Sequence, residues 1–168
     1  EGACDCDGNV EDCAGECGGD AVVDECGVCN GDGTSCLPNI ISLGAATESS
    51  LEVLYSSSSD IAGFQFAVSG VNLLGASGGA AEDSGFTMTV GTVGLGFAFT
   101  VDVIPAGSGV FNNLDLEVKD FDACLADLVV YDAHAQPLAF ETGDCVTLQC
   151  VDAYDYALFD TADAFEVE

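Results

Sequence analysis

The chain has 168 residues, with 30 Asp and Glu against one Lys or Arg (Lys119) and one His (His134), a formal charge of -29. Such a surface repels a phosphate backbone and an anionic bilayer alike, which excludes nucleic-acid binding. No run reaches the roughly 18–20 apolar residues of a spanning helix, which argues against membrane insertion. Hydrophobic content of 49% and 21 Gly fit an all-β extracellular module better than a salt-adapted protein, the other common origin of such acidity. The chain begins at Glu1 with no Met or apolar leader, as expected of a secreted product after removal of a signal peptide.

In chain order, residues 1–37 come first as a Cys/Asp/Gly-rich segment. Seven of the ten cysteines lie here, at Cys4, Cys6, Cys13, Cys17, Cys26, Cys29 and Cys36. A stretch with so few apolar side chains cannot build a core, so cross-links, bound cations or both must hold its shape. Val10 to Asp20 maps on Val22 to Asp32 at an offset of twelve, matching Asp12 with Asp24, Gly15 with Gly27 and Cys17 with Cys29. The register fails at Cys13, whose counterpart is Glu25.

Oxygen ligands at alternate positions, with Gly for sharp turns, suit Ca²⁺. Asp5, Asp7, Asn9 and Asp12 form one candidate cluster, and Asp20, Asp24 and Asp32 a second. The alternative is that these carboxylates are simply solvated in loops, since no complete EF-hand loop is present. Cys26-Gly-Val-Cys29 has the spacing of a zinc knuckle or redox pair, but the other cysteines lack a matching second pair and no βαβ pattern surrounds it, so disulfides are expected.

Residues 38–150 are predicted to form an antiparallel β-sandwich. Leu51/Val53/Tyr55, Phe64/Phe66/Val68, Met88/Val90, Leu95/Phe97/Phe99/Val101, Leu114/Leu116/Val118 and Leu128/Val130 alternate with period two. Gly/Ser/Asn/Asp clusters at Ser56 to Asp60, Gly75 to Gly79 and Asp132 to Gln136 separate them. Phe64, Phe66, Phe97 and Phe99 are expected to face inward, and no segment has a helical period. Two packed sheets follow.

No cysteine occurs between Cys36 and Cys124, and three follow: Cys124, Cys145 and Cys150. Cys124 and Cys145 flank the last strand pair and are the natural internal bond. Because both cysteine sets are odd in number, full oxidation then requires Cys150 to join an N-terminal cysteine, in the same chain or in a neighbour. Residues 151–168 form a tail rich in aromatics (Tyr154, Tyr156, Phe159, Phe165) with alternating Tyr154/Tyr156/Leu158 and Phe165/Val167. Such a strand either closes its own sheet or is donated to another subunit.

Residues from about Ile40 to Cys145 resemble cohesin-like β-sandwich modules in strand order and loop style. The likeness is carried by Gly63-Phe-Gln-Phe-Ala-Val-Ser-Gly, Ile104-Pro-Ala-Gly-Ser-Gly-Val and Leu128-Val-Val-Tyr-Asp-Ala-His-Ala-Gln-Pro-Leu. It implies a nine-stranded jelly-roll sandwich that binds another protein. The Asp/Cys/Gly repeats resemble the calcium-wrapped, disulfide-tied type 3 repeats of thrombospondins, with denser cysteines.

Catalysis finds no support, since His134 sits in a polar turn and no Gly-x-Ser-x-Gly elbow, phosphate-cradling motif or metal-ligating His pair occurs. No Asn begins an N-glycosylation sequon, whereas Ser56 to Ser59, Thr47 and Thr161 are candidates for O-linked sugars. Two functions are expected from these residues. One is a structural subunit of an extracellular filament or surface appendage, a homopolymer joined head to tail through the cysteine-rich segment and the tail. The other is an extracellular binding module for a glycan or another protein.

Overall fold

The computed structural model describes residues 2–91, the backbone of 94–97, and 102–148. Phe97's side chain, Phe99, Cys150 and the aromatic tail lie outside the described residues. Eleven strands are found among those described: β1 (Ile40–Ala46), β2 (Ser50–Ser57), β3 (Gly63–Ser69), β4 (Val71–Ser77), β5 (Thr87–Thr89), β6 (Gly94–Phe97), β7 (Gly107–Val118), β8 (Asp122–Tyr131), β9 (Pro137–Leu138), β10 (Glu141–Thr142) and β11 (Val146–Thr147). One sheet runs β10-β1-β2-β7-β4. The other runs β11-β8-β3-β6-β5, with β9 beside β8. Three of these eleven, β9, β10 and β11, are two-residue pieces, which leaves eight longer described strands against the expected nine.

Alternation fixes which side of each strand faces the core. Ile41 and Leu43, Leu51 and Val53, and Leu114 and Leu116 turn inward from the first sheet; Phe64, Phe66 and Val68 meet them from the second. The Phe64 ring centroid lies 4.4 Å from that of Phe111 across the interface and 5.8 Å from that of Phe86. These tilted and stacked rings form the centre of the core.

Two irregularities break the simple alternation. In β7 the pairing passes from Val53↔Asn112 to Leu54↔Val110, so Phe111 is an extra residue and both it and Asn112 are buried. In β8 the pairing with β3 shifts between Ala126 and Val129, at Asp127 with φ 50°, so Leu125 and Val130 both point inward although five positions apart. A bulge of this kind flips the face of everything beyond it. A third difference is α1 (Gly79–Asp83), a single turn packed on β7 where the sequence predicts only a loop.

The registers also define two ends of the sandwich. Ser57 pairs with Gly107, Ile40 with Ser56 and Gly63 with Tyr131, which gathers these residues at one end together with Asn39, whose side chain accepts the Ser58 N–H at 2.8 Å. At the opposite end Val118 pairs with Val71, and the Lys119 and Asp120 N–H groups both donate to the Gly70 carbonyl. There too Thr147 pairs with Asp122, and the Leu148 N–H donates to the Phe121 carbonyl at 2.6 Å. The chain therefore enters the sandwich at one end and leaves it at the other.

Candidate functional site: the cross-linked segment before the sandwich

Residues 2–36 contain no extended strand, only the isolated bridges Glu11↔Cys17 and Val23↔Cys29. Their order comes from one turn used repeatedly. Asp12 accepts the N–H groups of Ala14 and Glu16 on Oδ1, each at 2.9 Å, and that of Ala21 on Oδ2 at 3.1 Å. Twelve residues on, Asp24 accepts Cys26 and Val28 on Oδ1 at 2.9 and 2.7 Å, and Gly33 on Oδ2 at 2.9 Å. Asp5 holds Asp7 and Asn9 in the same way, and in the sandwich Asp132 holds His134 and Gln136.

Each of these turns needs a residue in the left-handed region at its fourth position, namely Gly8, Gly15, Gly27 and Ala135, with φ of 90°, 83°, 81° and 57°. Asp-x-x-Gly is thus the sequence signature of the turn. His134 is only the exposed tip of one such turn, its Nδ1 3.8 Å from Asp132 Oδ2.

The donated N–H groups favour ionised carboxylates. Asn9's amide, with backbone N–H groups, lowers the pKa of Asp5; the Glu16 N–H leads for Asp12, the Val28 N–H for Asp24, and the Gln136 N–H for Asp132. The Thr34 hydroxyl and N–H do the same for Asp32.

This arrangement bears directly on the candidate calcium ligands. Asp5, Asp12 and Asp24 each turn their oxygens onto the backbone of their own loop. Among the described residues no group of three or more Asp, Glu, His or Cys side chains is placed to hold a metal ion. Of Asp5, Asp7, Asn9, Asp12, Asp20, Asp24 and Asp32, Asp5 is joined to Asp7 and Asn9, while Asp12 and Asp24 each centre a separate turn. Of the carboxylates of this segment, Asp5, Asp12, Asp24 and Asp32 cap their own loops.

Disulfides then lace the turns together. Cys4 bonds Cys17, Cys13 bonds Cys29 and Cys26 bonds Cys36. Cys26 and Cys29 have different partners, so the pair is neither a zinc knuckle nor a redox dithiol. In the sandwich Cys124 bonds Cys145. Cys6 differs from the expected disulfide set: it is an exposed free thiol. The reason lies in the repeat. Cys6 follows Asp5 as Cys13 follows Asp12, and Cys13 reaches forward to Cys29; but Cys17, the corresponding target for Cys6, is already held by Cys4. Four disulfides of this kind persist in oxidising compartments. Among the described residues no helix is long and apolar enough to cross a membrane.

No protein-family model and no curated protein sequence matches the chain. Among solved structures it is similar to a non-cellulosomal cohesin from the hyperthermophilic archaeon Archaeoglobus fulgidus, with 14% identity, a TM-score of 0.50, and 67% of this chain and 92% of that one covered. It is also similar to a chain of a type I cohesin–dockerin complex from Clostridium thermocellum, with 11% identity, a TM-score of 0.46, and coverage of 67% and 94%. The fold is a cohesin-like antiparallel β-sandwich. Residues 2–36 add a disulfide-laced leader to it.

Proposed function

We propose that the protein is a non-enzymatic structural subunit of an extracellular filament or surface appendage, joined head to tail. One observation carries this reading: the laced segment precedes the end where the chain enters the sandwich, and the tail follows Leu148 at the opposite end. A contact between unlike ends that does not close into a ring propagates as an open filament.

Cysteine parity supplies a covalent lock. The four bridges leave Cys6 free, and Cys150 follows Leu148 by two residues in the sequence. Joining Cys6 of one subunit to Cys150 of the next forms one S–S bond, releases two protons and passes two electrons to a disulfide oxidant such as oxidised glutathione. The aromatic tail, with Tyr154, Tyr156, Leu158, Phe159, Phe165 and Val167, is the candidate donated strand at the same joint.

Imaging of unfixed protein purified under oxidising conditions tests the proposal. Long fibres are expected, together with a ladder of covalent multimers on non-reducing gels that Cys6→Ser abolishes. Monomers alone would refute it. The second reading, a binding module for another extracellular protein or a glycan, is favoured by an uncharged outward row on the second sheet, formed by Gln65, Ala67, Thr87 and Thr89. In a chain of charge -29 an uncharged sheet face suits a docking partner.

A further inference from the structure

The joint of the proposed filament needs a receptor on the end where the chain leaves, and the fold provides a candidate. Val68, Val71, Asn72, Leu73, Leu74 and Lys119 line a groove of about 540 Å³ beside the Gly70 turn. Two of its residues stand out. In β4 the pairing with β7 shifts between Leu73 and Gly75, so Leu74 is extruded from an edge strand and left 66% exposed. Lys119 is the chain's only Lys or Arg against 30 Asp and Glu, yet among the described residues it takes part in no ion pair.

The distribution of uncovered apolar groups matches a contact between unlike ends. Among the described residues the exposed large hydrophobic side chains are Val10, Val22, Val23 and Val28 on the leader, Tyr131 at the end where the chain enters, and Leu74 and Phe121 towards the end where it leaves. The leader carries acidic residues throughout and no basic one, and Val22 on it is 70% exposed.

We infer that the groove of Val68, Val71, Leu73, Leu74 and Lys119 receives the acidic, valine-bearing leader of a second copy. This rests on the head-to-tail reading above and names its non-covalent contact. Val22 and Val23 pack on Leu73 and Leu74, and a leader carboxylate pairs with Lys119. The only positive side chain of the Lys and Arg type thereby sits where two strongly negative molecules must meet.

Lys119 also makes the test unusually clean, because it is the only lysine of the sequence and so the only side-chain amine available to a carbodiimide. Full-length, isotopically labelled and unlabelled chains are mixed under oxidising conditions, treated with carbodiimide and mapped by mass spectrometry, while the same sample is imaged. Amide links from Lys119 to carboxylates of residues 1–36 in mixed-isotope pairs are expected. Lys119→Glu should weaken self-association at least tenfold, and Lys119→Arg should preserve it. Links confined to a single isotope, links to residues 149–168 only, or an unreacted Lys119 overturn the groove assignment. Filaments with Lys119 unlinked overturn it alone; leader links in a sample without filaments uphold the groove and overturn the filament. Absence of both overturns both.

Discussion

At the scale of single residues, Asn112 is the side chain that the core tolerates least. It is fully buried, and among the described residues neither its Nδ2 nor its Oδ1 has a hydrogen-bond partner. A buried polar group without a partner costs about 1–3 kcal/mol. Asn112→Val, which suits a strand, is therefore expected to stabilise the fold by about 1–3 kcal/mol in urea unfolding; a loss would mean that the amide has a role the protein atoms do not reveal. Phe64 is the opposite case. Its ring touches the rings of Phe66, Phe86 and Phe111, so Phe64→Ala is expected to cost about 3–5 kcal/mol in the same assay. The inward direction of Phe64 and Phe66 was legible from Phe-Gln-Phe alone. The burial of Asn112 was not, because it follows from a bulge set by the partner strand, and nothing in Val110-Phe-Asn-Asn113 marks which residue is extra. Cys6 was equally hidden: its spacing equals that of Cys13, and only the fold reveals that Cys4 reaches Cys17 instead.

At the scale of elements, the repeated Asp-centred turn governs the leader. Sequence made the twelve-residue offset plain, but a carboxylate that caps a loop and one that binds a cation use the same Asp-x-x-Gly spacing. What separates them is where the oxygens point. Since Asp5, Asp12, Asp24 and Asp32 have pKa values lowered by donated hydrogen bonds, they stabilise the leader above the ordinary Asp value of 3.8, and that contribution is lost as pH falls through the lowered values. Backbone amide protection factors in residues 2–36, taken relative to the intrinsic exchange rate at each pH, are expected to be high at neutral pH and to fall below about pH 4, with those of the core strands unaffected over the first part of that range. Protection factors there that stay constant from pH 7 to pH 2 would contradict the capping role. Gly31 gives a mutational counterpart. A Cβ at this position would lie 2.1 Å from Asp24 Oδ2, so Gly31→Ala must displace the carboxylate that holds Cys26, Val28 and Gly33. Protease cutting confined to the second repeat is the expected result, and a wild-type digestion pattern would show that the turn survives without its cap. The same digestion with and without a calcium chelator should give identical patterns if the caps alone order the leader.

For the molecule as a whole, charge sets the conditions for assembly. Molecules carrying -29 each repel one another, and the repulsion is screened over about 10 Å at 0.1 M salt and about 30 Å at 0.01 M. Self-association is accordingly expected to weaken as ionic strength is lowered, as read by light scattering; an increase at low salt would point to a contact dominated by opposite charges. Deleting residues 151–168 is expected to leave a folded, monomeric sandwich, and fibres of normal length from the truncated chain would remove the tail from the joint. The sandwich class was readable because period-two segments recur between Gly- and Ser-rich breaks. Which strands pair within each sheet and the opposite placement of the two chain ends were not, since both depend on pairings between residues far apart in sequence.

That placement has a mechanical consequence. Tension drawn between Asn39 and Leu148 runs along the strands. β1 is pulled back from Ile40, its first residue, while β11 is pulled forward from its last. The hydrogen bonds of β1 to β2, from Ile40↔Ser56 to Ala46↔Leu51, stand across the load and resist it together, in shear. At the other attachment the Cys124–Cys145 bond passes the force from β11 directly to the start of β8, which leaves residues 125–144 off the load path. Stretched lengthwise, the unit yields only when whole strands slide at once, whereas a pull across the sheet would open it one bond at a time.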